Sequence, residues 1–202
     1  NNLIKVSISG AVEFPGIYTL NDDTTVEDLY KLVGKFRNQA YLKGIILTRE
    51  VIRERQIKAI EKAKEDLKNA LLMKREEGQD VDDIGIIEAL SETIDPDNLG
   101  RLAGNFSPKS EASMNTILFD GDALIVPKNP NTISVLGEVL NPISFEFSKD
   151  ISMNSAINNA GGYKQYADKS RVYVITASGI TRKANRNIFT GGGISLEPGD
   201  TI

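Results

Sequence analysis

The chain has no cysteine and no histidine among its 202 residues. Without cysteine there is no disulfide, no zinc thiolate and no thiol nucleophile. Without histidine, a Ser-His-Asp triad and a histidine metal site are excluded. No apolar run approaches the roughly 20 residues that a helix needs to cross a bilayer. Neither sign of charge dominates: 24 Lys and Arg against 28 Asp and Glu leave −4. Nucleic-acid binders concentrate Lys and Arg on one face, so nucleic acid is not an expected partner. No secretory leader opens the sequence, as in a segment excised from a longer protein. What is present is enough apolar material for packed cores, 40% of the residues, and a stretch used twice.

Val6 to Tyr18 is VSISGAVEFPGIY, and Ile133 to Phe145 is ISVLGEVLNPISF. With Gly10 placed on Gly137, a shift of 127, Val12 falls on Val139, Pro15 on Pro142, Gly34 on Gly161 and Ala40 on Ala167. Ile45 to Leu47 falls on Val172 to Val174. Both copies later reach Gly-Asp and an apolar run, GDALIVP from Gly121 and GDTI from Gly199. An internal repeat of this kind decides the architecture.

Ile4 to Ile8 alternates apolar and polar residues, the period of a half-buried strand. Pro15-Gly16 suits the centre of a type II turn, and Ile17 to Leu20 returns as a second strand. Thr24 or Thr25 caps a helix through Val26, Leu29, Tyr30 and Val33, with Gly34 just past its end. Lys43 to Thr48 is a third strand. The second copy repeats this order: a strand from Ile133, a turn at Asn141-Pro142, strand Ser144 to Phe147, helix Met153 to Ala160 stopped by Gly161-Gly162, and strand Arg171 to Thr176. Gly10, Pro15, Gly16, Gly137, Pro142, Gly161 and Gly162 are the structural turn residues. Two strands, a helix and further strands predict an α+β fold with the helix across one sheet face, most economically two tandem β-grasp (ubiquitin-like) domains.

The copies differ in length after the third strand. Glu50 to Glu77 is rich in helix formers, with an apolar stripe at Ile57, Ile60, Ala63, Leu67, Ala70 and Leu71 broken at Lys64. Gly78 ends this helix, and a second is expected over Val81 to Thr93. The first domain is therefore 1–128 with a helical hairpin inserted at about 50–98, and the second is 132–202. Leu99 to Phe106 reads as a returning strand, Ser107 to Asn115 as a loop, and Pro127 to Asn131 as a stiff linker. A solvated charged face is the plain reading of this helix, and a coiled-coil partner, suited by the narrow stripe, is the sharper one.

Asp80 to Gly85 and Asp95 to Gly100 resemble calcium loops only in part. Their twelfth positions are Ser91 and Phe106, where a bidentate Glu is required, so no metal is expected. Gly191 to Gly193 lacks the Lys-Ser/Thr of a phosphate loop and reads as a flexible hairpin turn. No cofactor is indicated. The stretch Tyr163 to Arg171 is the most suggestive. Tyr163, Lys164, Tyr166, Asp168, Lys169 and Arg171 offer rings to stack on a sugar face and polar groups for its hydroxyls. Local packing of the tyrosines is the alternative, and both remain open.

Val135 to Pro142, Phe145, Ala160 to Tyr163, Tyr166 to Ile175 and Leu196 to Ile202 together resemble the SLBB (soluble-ligand-binding β-grasp) domains of bacterial polysaccharide export proteins. The first copy is more divergent, with Gly34-Lys35-Phe36 in place of Gly-Gly-Tyr. The resemblance implies a non-enzymatic periplasmic segment of an outer-membrane translocon for capsule or exopolysaccharide. Its implied partners are the glycan and the other subunits of a ring assembly. A small-ligand or cofactor-binding β-grasp module is the alternative. With 28 acidic residues, a carboxylate-pair glycan hydrolase is a third possibility. The second copy stops at Ile202 where the first continues through Leu124, Ile125, Val126 and Pro127. The expectation is a chain cut close to its last ordered strand, monomeric or weakly dimeric alone.

Overall fold

The computed structural model describes residues 2–76, 96–184 and 194–202. They form a mixed α+β structure in two compact units, Asn1–Leu47 with Ala103–Ile202, and Thr48–Leu102. In chain order the elements are β1 (Leu3–Gly10), β2 (Gly16–Asn21), α1 (Val26–Leu32), β3 (Ile46–Thr48), α2 (Glu50–Glu76), β4 (Arg101–Leu102), α3 (Glu111–Asn115), β5 (Ala123–Val126), β6 (Thr132–Val135), β7 (Ile143–Glu146), α4 (Met153–Asn159), β8 (Tyr173–Ile175) and β9 (Thr181–Lys183).

In the first unit β1 buries Ile4, Val6 and Ile8 and turns Leu3 and Lys5 outward. It pairs antiparallel with β2 and parallel with β5, and the strands run in the order β2-β1-β5-β3. Residues 132–202 repeat the pattern. β6 pairs antiparallel with β7, and β8 with β9. Thr201 joins the two pairs, bridging Ser134 in parallel and Ile175 antiparallel.

The shift of 127 holds bond by bond. The partners Val6 and Tyr18 become Ile133 and Phe145, and Ile8 and Gly16 become Val135 and Ile143. Thr25 caps α1 in a reciprocal box with Asp28; Ser152 caps α4 in the same box with Ser155. The buried residues correspond as well: Val6 and Ile133, Val12 and Val139, Val26 and Met153, Leu29 and Ala156, Leu47 and Val174. Burying each large aliphatic side chain is worth about 1.5–3 kcal/mol, so each copy builds its own apolar centre. At the end of α4, Gly162 N–H donates to Ile157 C=O and Gly161 N–H to Asn158 C=O, both at 2.9 Å. This is the double bond of a Schellman stop, which needs positive φ at the first glycine; Gly161 stands at 83°.

Several local expectations are corrected. Gly16 is already the first residue of β2, paired with Ile8, at φ 159°. A type II turn requires about +80° at that place, so Pro15-Gly16 is not its centre; the chain instead folds back on the end of α1, with Phe14 N–H on Val33 C=O. Ser107 to Asn115 is not all loop, because Ser110 caps the short helix α3 by accepting from Ser113 N–H. The strand expected over Leu99 to Phe106 is only Arg101–Leu102, after a 3-10 turn at Pro96–Asn98. The third strand begins later than Lys43, since Leu42–Gly44 is another 3-10 turn.

The second unit contains the stretch 50–98 read as an insertion. Along α2 the sheltered positions are Ile52, Gln56, Ile60, Lys64, Leu67 and Leu71, spaced by four and three residues on one face. Ile57, Ala63 and Ala70 lie outside that stripe and are exposed. Gln56 fixes the return of the chain by accepting from Gly100 N–H at 2.6 Å. The helix expected over Val81 to Thr93, the stop at Gly78, the calcium-like loop from Asp80 and the Gly191 to Gly193 turn lie outside the described residues.

Candidate functional site

A groove of about 500 Å³ opens beside the end of β6. One wall is Val135 to Val139, and the other is the loop from Tyr163 to Val172. The residues that build these walls follow from the repeat. Gly137 turns the chain at φ 86°, and Val139 N–H closes on Gly137 C=O at 2.9 Å. Val139 then bridges Tyr163, and Lys164 N–H donates to Glu138 C=O at 3.0 Å. The loop is stiffened by two turns, Ala167 N–H to Lys164 C=O and Arg171 N–H to Asp168 C=O.

Of the six candidate residues, Tyr163, Tyr166, Asp168 and Arg171 line the groove. Lys164 and Lys169 do not line it, but both interact with residues that do. Lys164 Nζ sits 3.6 Å from the Glu138 carboxylate, and Lys169 Nζ lies over the Tyr163 ring, 5.5 Å from its centre. Tyr163 is half-buried and packs on the apolar centre formed by Val139, Ile157 and Ala160. Tyr166 is 91% exposed. The two tyrosines therefore divide the two explanations: Tyr163 has a packing role, whereas the Tyr166 ring is presented to solvent.

Asp168 organises the charged end of the loop. Its carboxylate accepts from Ser170 Oγ at 2.6 Å, Ser170 N–H at 2.9 Å and Arg171 Nε at 2.7 Å. The Ser170 hydroxyl foremost, then its N–H and Arg171, hold the Asp168 carboxyl down at about 2. Hydrogen bonds to the charged form have this effect. Glu138 and Ser170 were not among the sequence candidates. Alignment of Glu138 with Ala11, which is buried, gives no hint that this position carries an ion pair.

The opposite charges on the rim leave rings, amides and compensated ions around an apolar floor that includes Val135, Ile157 and Val172. Both carboxylates, Glu138 and Asp168, are ion-paired. A general acid needs a raised pKa, and Asp168 is shifted the other way. Among the described residues no group of three acidic side chains could hold a metal ion, and no helix is long and apolar enough to cross a membrane.

Comparison with known proteins matches the SLBB domain twice, at residues 5–57 and 132–189. Two Escherichia coli proteins, each described as a polysialic acid transport protein KpsD, are 31% identical over 101 residues. That alignment covers 47% of this chain and 17% of each relative, so the chain spans a minor part of the curated relatives it matches. The two family matches together take in more than half of the sequence, one on each copy of the repeat: the chain belongs to the SLBB domain family.

Proposed function

We propose that this chain is a periplasmic segment of an outer-membrane polysaccharide export protein, built from two tandem β-grasp domains at 1–128 and 132–202. Its role is non-enzymatic: it contributes to assembly of the translocon and contacts the glycan through Tyr163, Lys164, Tyr166, Asp168, Lys169 and Arg171. The observation that carries this reading is the SLBB match on both copies of the repeat, joined to the similarity with two polysialic acid transport proteins. The strand order β2-β1-β5-β3 around a parallel β1-β5 pair supports the β-grasp assignment. So does its recurrence through Thr201 in the second copy.

The glycan role rests on the loop. An exposed ring at Tyr166, with Lys164 and Lys169 nearby in sequence, offers stacking and charge to an acidic sugar polymer such as polysialic acid. The test is deletion of residues 132–202 from the full-length protein in its native cell. Polysaccharide should disappear from the cell surface and accumulate inside. Unchanged surface polysaccharide contradicts the reading.

The apolar walls of the groove favour one second reading, a site for a small ligand or cofactor, because its volume is in the range of such pockets. A tight one-to-one complex with a small molecule, seen by calorimetry, supports that reading over glycan contact.

A further inference from the structure

Both copies of the repeat lie in one compact unit, and the chain that joins them is pinned on each side. On the first copy, Tyr41 N–H donates to Pro127 C=O at 2.8 Å and Asn129 N–H to Gln39 C=O at 2.9 Å, with Ala40 bridging Lys128. On the second copy, Phe147 N–H donates to Asn131 C=O at 2.7 Å and Gly199 N–H to Thr132 C=O at 2.6 Å. Between the anchored Asn129 and the anchored Asn131 stands only Pro130, whose ring fixes its own φ. Asn131 sits at φ 51°, a conformation that asparagine visits more readily than most residues. Its N–H donates to the Asn129 side-chain oxygen at 3.0 Å, and its Nδ2 to Glu146 Oε1 at 3.3 Å. The rotations by which one copy can swing against the other therefore fall within residues 129–131.

An ion pair spans this joint, from Lys43 Nζ of the first copy to the Glu197 carboxylate of the second. Neither residue belongs to the repeated framework. Shifted by 127, Lys43 becomes Ser170, whose hydroxyl donates to Asp168. With Gly121 placed on Gly199, Glu197 becomes Phe119. Each copy thus supplies a charge that its sister lacks at the same place. Neighbouring groups feel the pairing across the joint. The Tyr41 hydroxyl is pushed up to about 12, by burial first and then by the Glu197 and Asp200 carboxylates. Pro130 packs beside Gly199, where an added Cβ would stand 3.2 Å from the proline Cγ.

We propose that residues 129–131 are a hinge and that the Lys43–Glu197 pair is its latch: the pair holds the two copies at one angle, and its loss lets the second copy swing. The two side chains are 61% and 42% exposed, and an exposed ion pair adds little to folding stability. Its effect is on orientation, because rotation at the hinge parts the two charges while each apolar centre stays closed. Exposure also makes the latch sensitive to salt, which screens charges in contact with solvent. Ionic strength then sets how firmly the two copies are held. The latch goes beyond the export role: it governs how one chain aims its Tyr163 to Arg171 loop relative to its first copy.

The test is the distance between spin labels on the two copies, read by double electron–electron resonance. The chain has no cysteine, so Thr19→Cys on β2 and Asn158→Cys on α4 give two defined labelling sites, both exposed. The labelled chain should show one narrow distance distribution at low salt. Lys43→Glu should widen it at least twofold with no fall in melting temperature, and the exchanged pair Lys43→Glu with Glu197→Lys should restore the narrow form. Salt at about 1 M, where the screening length is about 3 Å, should widen the distribution of the chain with its native pair and reads the latch without a charge substitution. A width that Lys43→Glu leaves unchanged overturns the proposal. So does a failure of the exchanged pair to restore it, or a native width that does not respond to salt.

Discussion

Asp122 and Asp200 do the same job in two places. Each is buried, and each carboxylate accepts from the backbone N–H three residues before it, Phe119 at 2.9 Å and Glu197 at 2.8 Å. Each backbone C=O then takes the first N–H of the parallel pairing, from Ser7 at 3.0 Å and Ser134 at 2.9 Å. The Gly-Asp of both copies is thus a turn that fixes the register of a central strand.

The Asp200 pair makes a pH prediction. Burial raises the Asp200 carboxyl above 3.8, against the hydrogen bond from Glu197 N–H that lowers it. The folded state then binds the proton more tightly than the unfolded state. Stability from this group is present below the unfolded value and is lost as pH rises through the raised folded value. Asp200→Asn keeps an acceptor for Glu197 N–H and should gain stability relative to the native chain as pH rises through that window. A difference that stays constant with pH contradicts this. Asp200→Ala removes the acceptor and should cost about 1–3 kcal/mol in urea unfolding.

Gly10 and Gly137 should respond unequally to the same substitution. Both stand near φ 90°, where alanine costs about 1–2 kcal/mol. Gly10→Ala also drives a Cβ against Val126 O, at 2.1 Å, and should cost about 3 kcal/mol or more. Gly137→Ala should cost only the backbone strain. Equal losses in urea unfolding would show that the two surroundings are alike.

The helix caps differ in charge. Thr25→Ala and Ser152→Ala should each cost about 1 kcal/mol. Asp28 is held down at about 2 by Lys31 foremost and then by Thr25. Its contribution is therefore present above 3.8 and lost as pH falls toward 2. Removing the Thr25 hydroxyl should move the Asp28 carboxyl titration, followed by NMR, upward toward 3.8. An unmoved midpoint would show that the hydroxyl bond is not made in solution. The Ser152 cap uses Ser155 instead, and its cost should not change between pH 2 and 4.

The repeat was legible because Gly10 and Gly137, Gly34 and Gly161, and the two Gly-Asp pairs perform backbone tasks that few residues can perform. Less legible were the places where tertiary contacts decide. Ser107 to Asn115 carries a cap at Ser110 but too few residues to show a helical period. The Ile57, Ala63 and Ala70 positions are apolar enough to mislead, yet the sheltered face of α2 runs through Gln56 and Lys64. In the groove the loop was visible as a cluster of rings and charges. Its opposite wall was not, because Gly137 acts there by turning the backbone at positive φ and Glu138 stands where the first copy has the buried Ala11. The buried environment of Tyr30, whose hydroxyl donates to Phe106 C=O at 2.6 Å, depends on a partner 76 residues away and was equally hidden.

The Tyr163 to Arg171 loop as a glycan contact is the central functional claim, and the most direct measurement is an NMR titration with a defined acidic oligosaccharide. Amide shifts should concentrate at residues 163–171, the oligosaccharide should emerge uncut, and added salt should weaken the effect by screening the lysines. Tyr166→Ala should lose at least tenfold in affinity with no fall in melting temperature, since the ring is exposed. Tyr163→Ala should lower the melting temperature, since that ring packs on the core. Shifts that avoid the loop, cleavage of the oligosaccharide, or unchanged affinity in Tyr166→Ala would contradict the account.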